Sequence, residues 1–277
     1  MYAQRSRRPA GAGLLIAIII AVVSLFRYFG SSQENPVTGE KQRVAGITPE
    51  QEIALGLQSA PQMAREFGGI SRDTRADALV DSVGARLVEQ SKVANSPYRF
   101  EFHVLNDRKT INAFALPGGQ IFITEALLSR LKTEGQLAGV LGHEIGHVIG
   151  RHGAEHIAKQ QLTQGLTGAA VLATYDPNDP RSARNAQIVM LVGQLVNMKF
   201  GRDDEIESDR YGVEFMADAG YDPRAMIEVQ EILKEAGGGG RAPEFFSTHP
   251  NPDNRIGRIK EAIQQKFPNG IPSGLEK

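Results

Sequence analysis

The stretch Gly135-Gln136-Leu137-Ala138-Gly139-Val140-Leu141-Gly142-His143-Glu144-Ile145-Gly146-His147 decides how the rest of the chain is read. It carries helix formers and no proline, and it places two histidines four residues apart. On a helix, residues i and i+4 stand nearly above one another, so two imidazoles can address one point. Ligation of zinc by imidazole requires that convergence at about 2.0–2.1 Å. Glu144 stands about 100° round the helix from His143, where it can act on water beside an ion without ligating it. The H-E-x-x-H pattern therefore predicts metal-assisted hydrolysis, with His143 and His147 as ligands and Glu144 as general base.

A hydrolytic zinc site takes three protein ligands and leaves one position open. No cysteine exists in the 277 residues, so the third ligand is a histidine or a carboxylate, and disulfides and thiol nucleophiles are excluded. Gly150 stands where a metzincin glycine belongs, but the histidine that would complete that pattern falls on Gly153, and His152 is one residue early. A one-residue slip turns a helical side chain by about 100°, which excludes that class. His152-Gly153-Ala154-Glu155-His156 matches the inverted H-x-x-E-H pattern. If one helix continues from Glu134 to Gln164, this pair points away from the first. Its polar surroundings then make His152 and His156 part of a solvated helix end. Farther on, Glu205 and Asp209 share a helical face at i and i+4, which suits a ligand followed by a carboxylate that orients a ligating imidazole. By spacing alone Glu207 is a possible substitute.

Outward from this centre, the order of elements is helices, a small sheet, then more helices, an α+β arrangement. Thr48-Pro49-Glu50-Gln51 reads as a capped helix start running toward Glu66, and a second helix is expected from Thr74 to about Ser91. The alternation from Tyr98 to Val104 reads as a half-exposed strand, with His103 facing solvent. Ala113 to Leu116 and Gln120 to Thr124 flank a Pro-Gly-Gly turn and read as two more strands. Helices are expected at Glu125 to Leu131, Ala183 to Phe200, Asp203 to Ala219, Pro223 to Ala236 and Asp253 to Lys266. Breaks are expected at Tyr175 to Pro180, at Gly237 to Gly240, and at Pro243 to Pro252, a loop that carries His249.

Arg5, Arg7 and Arg8 precede an apolar run from Ala10 to Phe26, near the short end of what spans a bilayer. Residues 1–30 are thus expected to be a cytoplasmic tail and an uncleaved transmembrane anchor, with the bulk of the chain on the extracytoplasmic side. The polar residues 31–46 read as a linker, 47–267 as the catalytic domain and 268–277 as a C-terminal tail. A net charge of −1 gives no reason to expect nucleic acid as a partner.

Four ordered motifs carry a family resemblance: Asn112-Ala113-Phe114-Ala115-Leu116-Pro117-Gly118-Gly119, the HEIGH of 143–147, Glu205-Ile206-Glu207-Ser208-Asp209, and Ser247-Thr248-His249-Pro250 with Arg255-Ile256. On these the chain resembles the membrane-associated gluzincin metallopeptidases that include HtpX, the CaaX prenyl endopeptidases, BepA and LoiP. The resemblance implies that Glu205 is the third zinc ligand and that Asp209 orients a ligand from behind. It implies that Asn112, Ala113 and Phe114 belong to an edge strand that pairs with an extended protein or peptide substrate, and that Arg255 assists there. It gives His249 a place over the metal, stabilising the oxyanion or closing the ion's open position. Ser208 stands where that family usually has alanine. The implied activity is a metalloendopeptidase with one zinc ion per chain, cleaving misfolded or misassembled envelope proteins, periplasmic ones in a Gram-negative cell. The competing expectation is a latched metalloprotein that works mainly as an envelope chaperone. A deformylase would need a cysteine ligand.

Overall fold

The computed structural model describes residues 10–172, 200–237, 243–250 and 254–277. The helix expected from Ala183 to Phe200, the break at Tyr175 to Pro180 and most of the Gly237 to Gly240 loop lie outside the described residues.

The described helices are α1 (Ala10–Phe29), α2 (Pro49–Glu66), α3 (Thr74–Glu89), α4 (Glu125–Leu128), α5 (Glu134–Ile149), α6 (His152–Leu172), α7 (Arg202–Asp218), α8 (Ala225–Ala236), α9 (Phe245–Thr248) and α10 (Arg255–Lys266). The strands are β1 (Ser32–Glu34), β2 (Lys41–Arg43), β3 (Glu101–Leu105), β4 (Ala113–Leu116) and β5 (Gln120–Thr124). The mainly helical α+β architecture expected from the sequence is what the chain adopts. Local chemistry accounts for the starts. The Thr48 hydroxyl accepts from Gln51 N while the Gln51 side chain accepts from Thr48 N, a closed capping box with Pro49 at the first helical position. Asp73 caps α3, Thr124 caps α4 and Thr133 caps α5 through side-chain oxygens that accept from the first turn.

A three-stranded sheet, in the order β3-β5-β4, covers the site helix. β3 runs parallel to β5 and β4 antiparallel to it, so among the described residues β4 has a strand neighbour on one side only. One face of the sheet packs with α3, α5, α7, α8 and α10 around Leu87, Ile121, Leu141, Ile145, Phe215 and Leu233. The other face closes a smaller cluster in which Phe114 and Phe122 meet Met63 and Ala64 of α2. α5 is buried along almost its whole length, so its two histidines face α7 in the centre of the molecule. Glycine permits that closeness: a Cβ on Gly146 would stand 2.8 Å from the Ser208 carbonyl oxygen of α7.

The helix expected from Glu134 to Gln164 is two helices, broken at Gly150 and Arg151, where Arg151 takes a left-handed φ of 55°. Such a conformation is disfavoured for a residue with a Cβ. The buried guanidinium compensates, donating to Glu52 at 2.9 Å and to the Ile47 carbonyl at 2.7 Å. The polar stretch 31–46 is a packed hairpin rather than a tether. Asn35 donates to the Ile149 carbonyl and Gln42 to the Gly150 carbonyl, so its polar residues satisfy the otherwise unpaired C-terminal end of α5. The final residues also pack back, since the Glu276 carbonyl accepts from Asp222 N and its backbone N donates to Gly220.

At the N-terminus, α1 packs along α6. Leu15, Ile16, Ile18, Ile19, Val22, Val23, Leu25 and Phe26 are exposed on it. Among the described residues, however, no helix is long and apolar enough to cross a membrane.

Candidate metal centre

Where α5 crosses α7, four side chains present ligand atoms within 4.8 Å of one another: His143, His147, Glu205 and His249. All are buried. The Nε2 atoms of His143 and His147 lie 3.0 Å apart, and the Glu205 oxygens stand 3.5 and 3.4 Å from them. Two ligands each about 2.05 Å from one tetrahedral ion are themselves about 3.3 Å apart, so this spacing fits a single zinc-sized cation. Neither Glu205 oxygen has a hydrogen-bond partner, and its one ion pair is with Arg255 Nη1, 3.1 Å from Oε2, so the buried carboxylate keeps acceptor capacity on the side of the imidazoles. The donor set and that unused capacity fit a metal ion.

Charge in the cluster is arranged accordingly. Burial favours a neutral Glu205, but the histidines His249, His143 and His147 hold its carboxyl well below the usual carboxylate range. Burial also opposes an imidazolium at His143, yet its bond to Asp209 and the nearby Glu205 carboxylate prevail and raise its pKa to about 9. His147 is held well below the ordinary histidine value by burial and by its neighbours His143 and His152. The result is a fixed negative charge beside one imidazole that stays neutral at pH 7.

Behind His143 lies the carboxylate that the sequence places one turn after Glu205. Asp209 Oδ1 is 2.9 Å from His143 Nδ1. Asp209 is in turn clamped by Arg255, whose Nε donates to Oδ2 at 2.7 Å and whose Nη2 donates to Oδ1 at 2.9 Å. Arg255 also stands 3.1 Å from Glu205. Burial disfavours the charge on both Arg255 and Asp209, but each keeps the other ionised. The expectation that Arg255 binds substrate gives way here. It is buried and spent on these two carboxylates, so it positions the ligands from behind.

Glu144 is fully buried, and neither of its oxygens has a hydrogen-bond partner. His249 Nε2 stands 3.5 Å from its Oε1. α9 and the turn after it bring His249 there: its Nδ1 lies 2.9 Å from the Thr248 hydroxyl and 3.3 Å from the Phe245 carbonyl, and its Nε2 faces the cluster. The ring stacks on Phe245 with centroids 4.3 Å apart. On the other side Phe200 stacks on His147 at 3.8 Å, an aromatic wall that no sequence motif signals.

The edge strand β4 lies against α5 with its one strand partner behind it. Asn112 and Ala113 are buried at its start, Asn112 with its backbone tied to Thr124 and its Oδ1 without a partner. The Phe114 ring points into the smaller core cluster and stacks on Phe122 at 5.0 Å, so only its backbone is left for an extended peptide. His103 bonds Gln120 and takes no part in the cluster.

His152 departs most from expectation. It is buried, not solvated, with Nδ1 2.9 Å from His147 Nδ1 and Nε2 3.1 Å from Glu207. Reading 134–164 as one helix conceals this. The signal available is Gly150, where a Cβ would stand 2.5 Å from His152 Nε2. His156 instead pairs with Asp204 at 2.9 Å.

The model of peptidase family M48 matches residues 74–263, a span that holds every one of these donors. The chain is 32% identical over 234 residues to the beta-barrel assembly-enhancing protease of Escherichia coli, covering 80% of this chain and 46% of that protein. It is 37% identical over 241 residues to the mitochondrial metalloendopeptidase OMA1 of Schizosaccharomyces pombe, covering 86% of this chain and 68% of the relative. With Bos taurus OMA1 the identity is 31% over 255 residues, covering 86% of this chain and 47% of the relative. The chain spans about half the length of the bacterial proteases it matches. The resemblance drawn from four short motifs thus extends over most of the sequence, and the chain belongs to peptidase family M48.

Proposed function

We propose that this chain is a zinc-dependent endopeptidase with His143, His147 and Glu205 as ligands and Glu144 as general base. The observation that carries the reading is the buried carboxylate of Glu205 set among imidazole nitrogens with neither oxygen hydrogen-bonded, and a second buried carboxylate without a hydrogen bond, Glu144, near the same histidines. A bound zinc ion would supply Lewis acidity toward the scissile carbonyl and lower the pKa of a water at its open position. The chain's own residues do the rest. Glu144 takes the proton of the attacking water and hands it to the leaving amine. The β4 edge offers backbone groups to an extended substrate. His249 Nε2 faces the same space, and the tautomer that carries its proton there would donate to the developing oxyanion.

His249 also supports a second reading. Fully buried, it stands among the donors as a fourth ligand would, and a chain held in that state would bind metal and client proteins without cleaving them. Digestion of an unfolded protein such as casein separates the two. The peptidase reading expects cleavage that stops on chelation and returns with zinc, and a metal-loaded chain that leaves casein intact would favour the latched chaperone.

Envelope proteins are the proposed substrates, in keeping with the name of the bacterial relatives, which ties those proteins to β-barrel assembly. Attachment to a membrane is proposed through α1, whose exposed apolar side chains follow the basic residues Arg5, Arg7 and Arg8. The catalytic domain would then lie on the extracytoplasmic side. Release of a chain lacking residues 1–30 from membranes that retain the full chain would bear this out.

A further inference from the structure

The structure assigns to His152 and Glu207 a shared positioning role, in which they orient His147 and fix its tautomer for metal binding, although Glu207 never touches it. This rests on the reading of the four-donor cluster as a metal centre. An imidazole that ligates through one nitrogen carries its proton on the other, and that proton needs an acceptor. For His143 the acceptor is the Asp209 carboxylate at 2.9 Å. For His147, Nε2 faces His143 and Glu205, so Nδ1 must carry the proton. The atom opposite is not an oxygen. It is Nδ1 of His152, 2.9 Å away.

Two facing ring nitrogens form a hydrogen bond only if one is protonated and the other is not. Glu207 decides which. Its carboxylate can only accept, and its Oε2 lies 3.1 Å from His152 Nε2, so the His152 proton is placed there. His152 Nδ1 is thereby left as a lone pair, free to accept from His147 Nδ1–H, and His147 Nε2 is left as the lone pair directed at the donor cluster. The Ser208 hydroxyl, 3.3 Å from His152 Nδ1, stands as a further donor to that lone pair. The Tyr211 hydroxyl, 2.6 Å from Glu207 Oε1, holds the carboxylate from its other side.

The backbone is built for this contact. A continuous helix would carry residue 152 about 180° away from residue 143. The left-handed turn at Arg151 ends α5 instead, and the missing side chain of Gly150 leaves room for the returning ring. His152 is therefore a positioning residue, neither a ligand nor part of a second metal site. Glu207 is its anchor rather than a substitute for Glu205.

The test is zinc affinity of the full-length chain by competition with a chromophoric chelator, for Glu207→Gln, His152→Ala, their combination, and His156→Ala. The absorption spectrum of each protein loaded with cobalt(II) reports ligand geometry, and melting of the metal-free protein reports the fold. Loss of such an orienting partner weakens metal binding by about 10–100-fold. That loss is expected for Glu207→Gln and for His152→Ala, with a changed cobalt spectrum. The combination should fall no further than His152→Ala alone, because both changes act through one relay, Glu207→Gln by removing the charge and putting an amide that can donate as well as accept opposite His152 Nε2. His156→Ala should bind zinc as the unsubstituted chain does. Should His152→Ala fail to fold, Glu207→Gln, whose side chain is 27% exposed, decides alone. Unchanged affinity and cobalt spectrum in a folded Glu207→Gln, or additive losses in the combination, would overturn the relay. An unsubstituted chain that takes up no zinc would instead overturn the metal centre itself.

Discussion

Asp209 joins two demands in one side chain, since it accepts from His143 and holds the buried charge of Arg255. Asp209→Asn keeps the shape and removes the charge, leaving the guanidinium with Glu205 as its remaining anion and drawing that carboxylate out of the donor cluster. Zinc affinity should fall by about 10–100-fold. Stability should fall by roughly 3 kcal/mol, as for a buried ion pair that loses one partner. Chelator competition and denaturant unfolding measure the two effects separately, and a variant unchanged in both would refute the clamp. At this scale His143, Glu144 and His147 are legible from spacing on one helix, because i and i+4 geometry is local. Glu205 is not: spacing leaves Glu207 open beside it, and only tertiary packing turns one to the cluster and the other to His152. Arg255 is misread for the same reason, since its charge says nothing of whether it faces a cleft or two buried carboxylates.

The angle and closeness of α5 against α7 set the donor distances. Gly146→Ala puts a methyl 2.8 Å from the Ser208 carbonyl of α7, a backbone atom that cannot step aside alone. The helices must separate at the point where Glu205 reaches His143 and His147. A loss of about 1–3 kcal/mol is expected from such overpacking, together with weaker zinc binding. Thermal melting and metal titration together check it, and normal zinc affinity in this variant would mean that the crossing does not set the site. Most helices can be read from caps and periodicity, as the closed box at Thr48 shows. The hairpin over 32–43 cannot. Its polar residues look like those of a solvated linker, and only the end of α5 gives Asn35 and Gln42 their carbonyl partners. The break at Gly150 and Arg151 escapes as well, because an arginine in a left-handed turn is held by Glu52, a residue far away in sequence.

For the whole molecule, the central cluster concentrates buried charge where α5, α7 and α10 meet, so metal occupancy should couple to global stability. Free zinc at about 100 times the dissociation constant would add about 2.7 kcal/mol. Chelation should therefore lower the melting temperature by several degrees. An identical melting curve with and without chelator would show that the ion, if bound, is not linked to folding. Fold class and the order of elements are legible at this scale because helices and strands fall in separate blocks. The seating of α1 on α6 is not, since an apolar run reads alike whether it faces lipid or a neighbouring helix.

The proposed mechanism gives Glu144 the proton of the attacking water, and its replacement by glutamine is isosteric in a pocket where neither oxygen has a hydrogen-bond partner. The most direct measurement is the rate of casein cleavage by Glu144→Gln beside the unsubstituted chain, with the zinc content of both determined. About one zinc per chain is expected in each protein, with a loss of cleavage of about 10²–10⁴-fold in the variant. Cleavage at the unsubstituted rate by a zinc-loaded Glu144→Gln would contradict that mechanism.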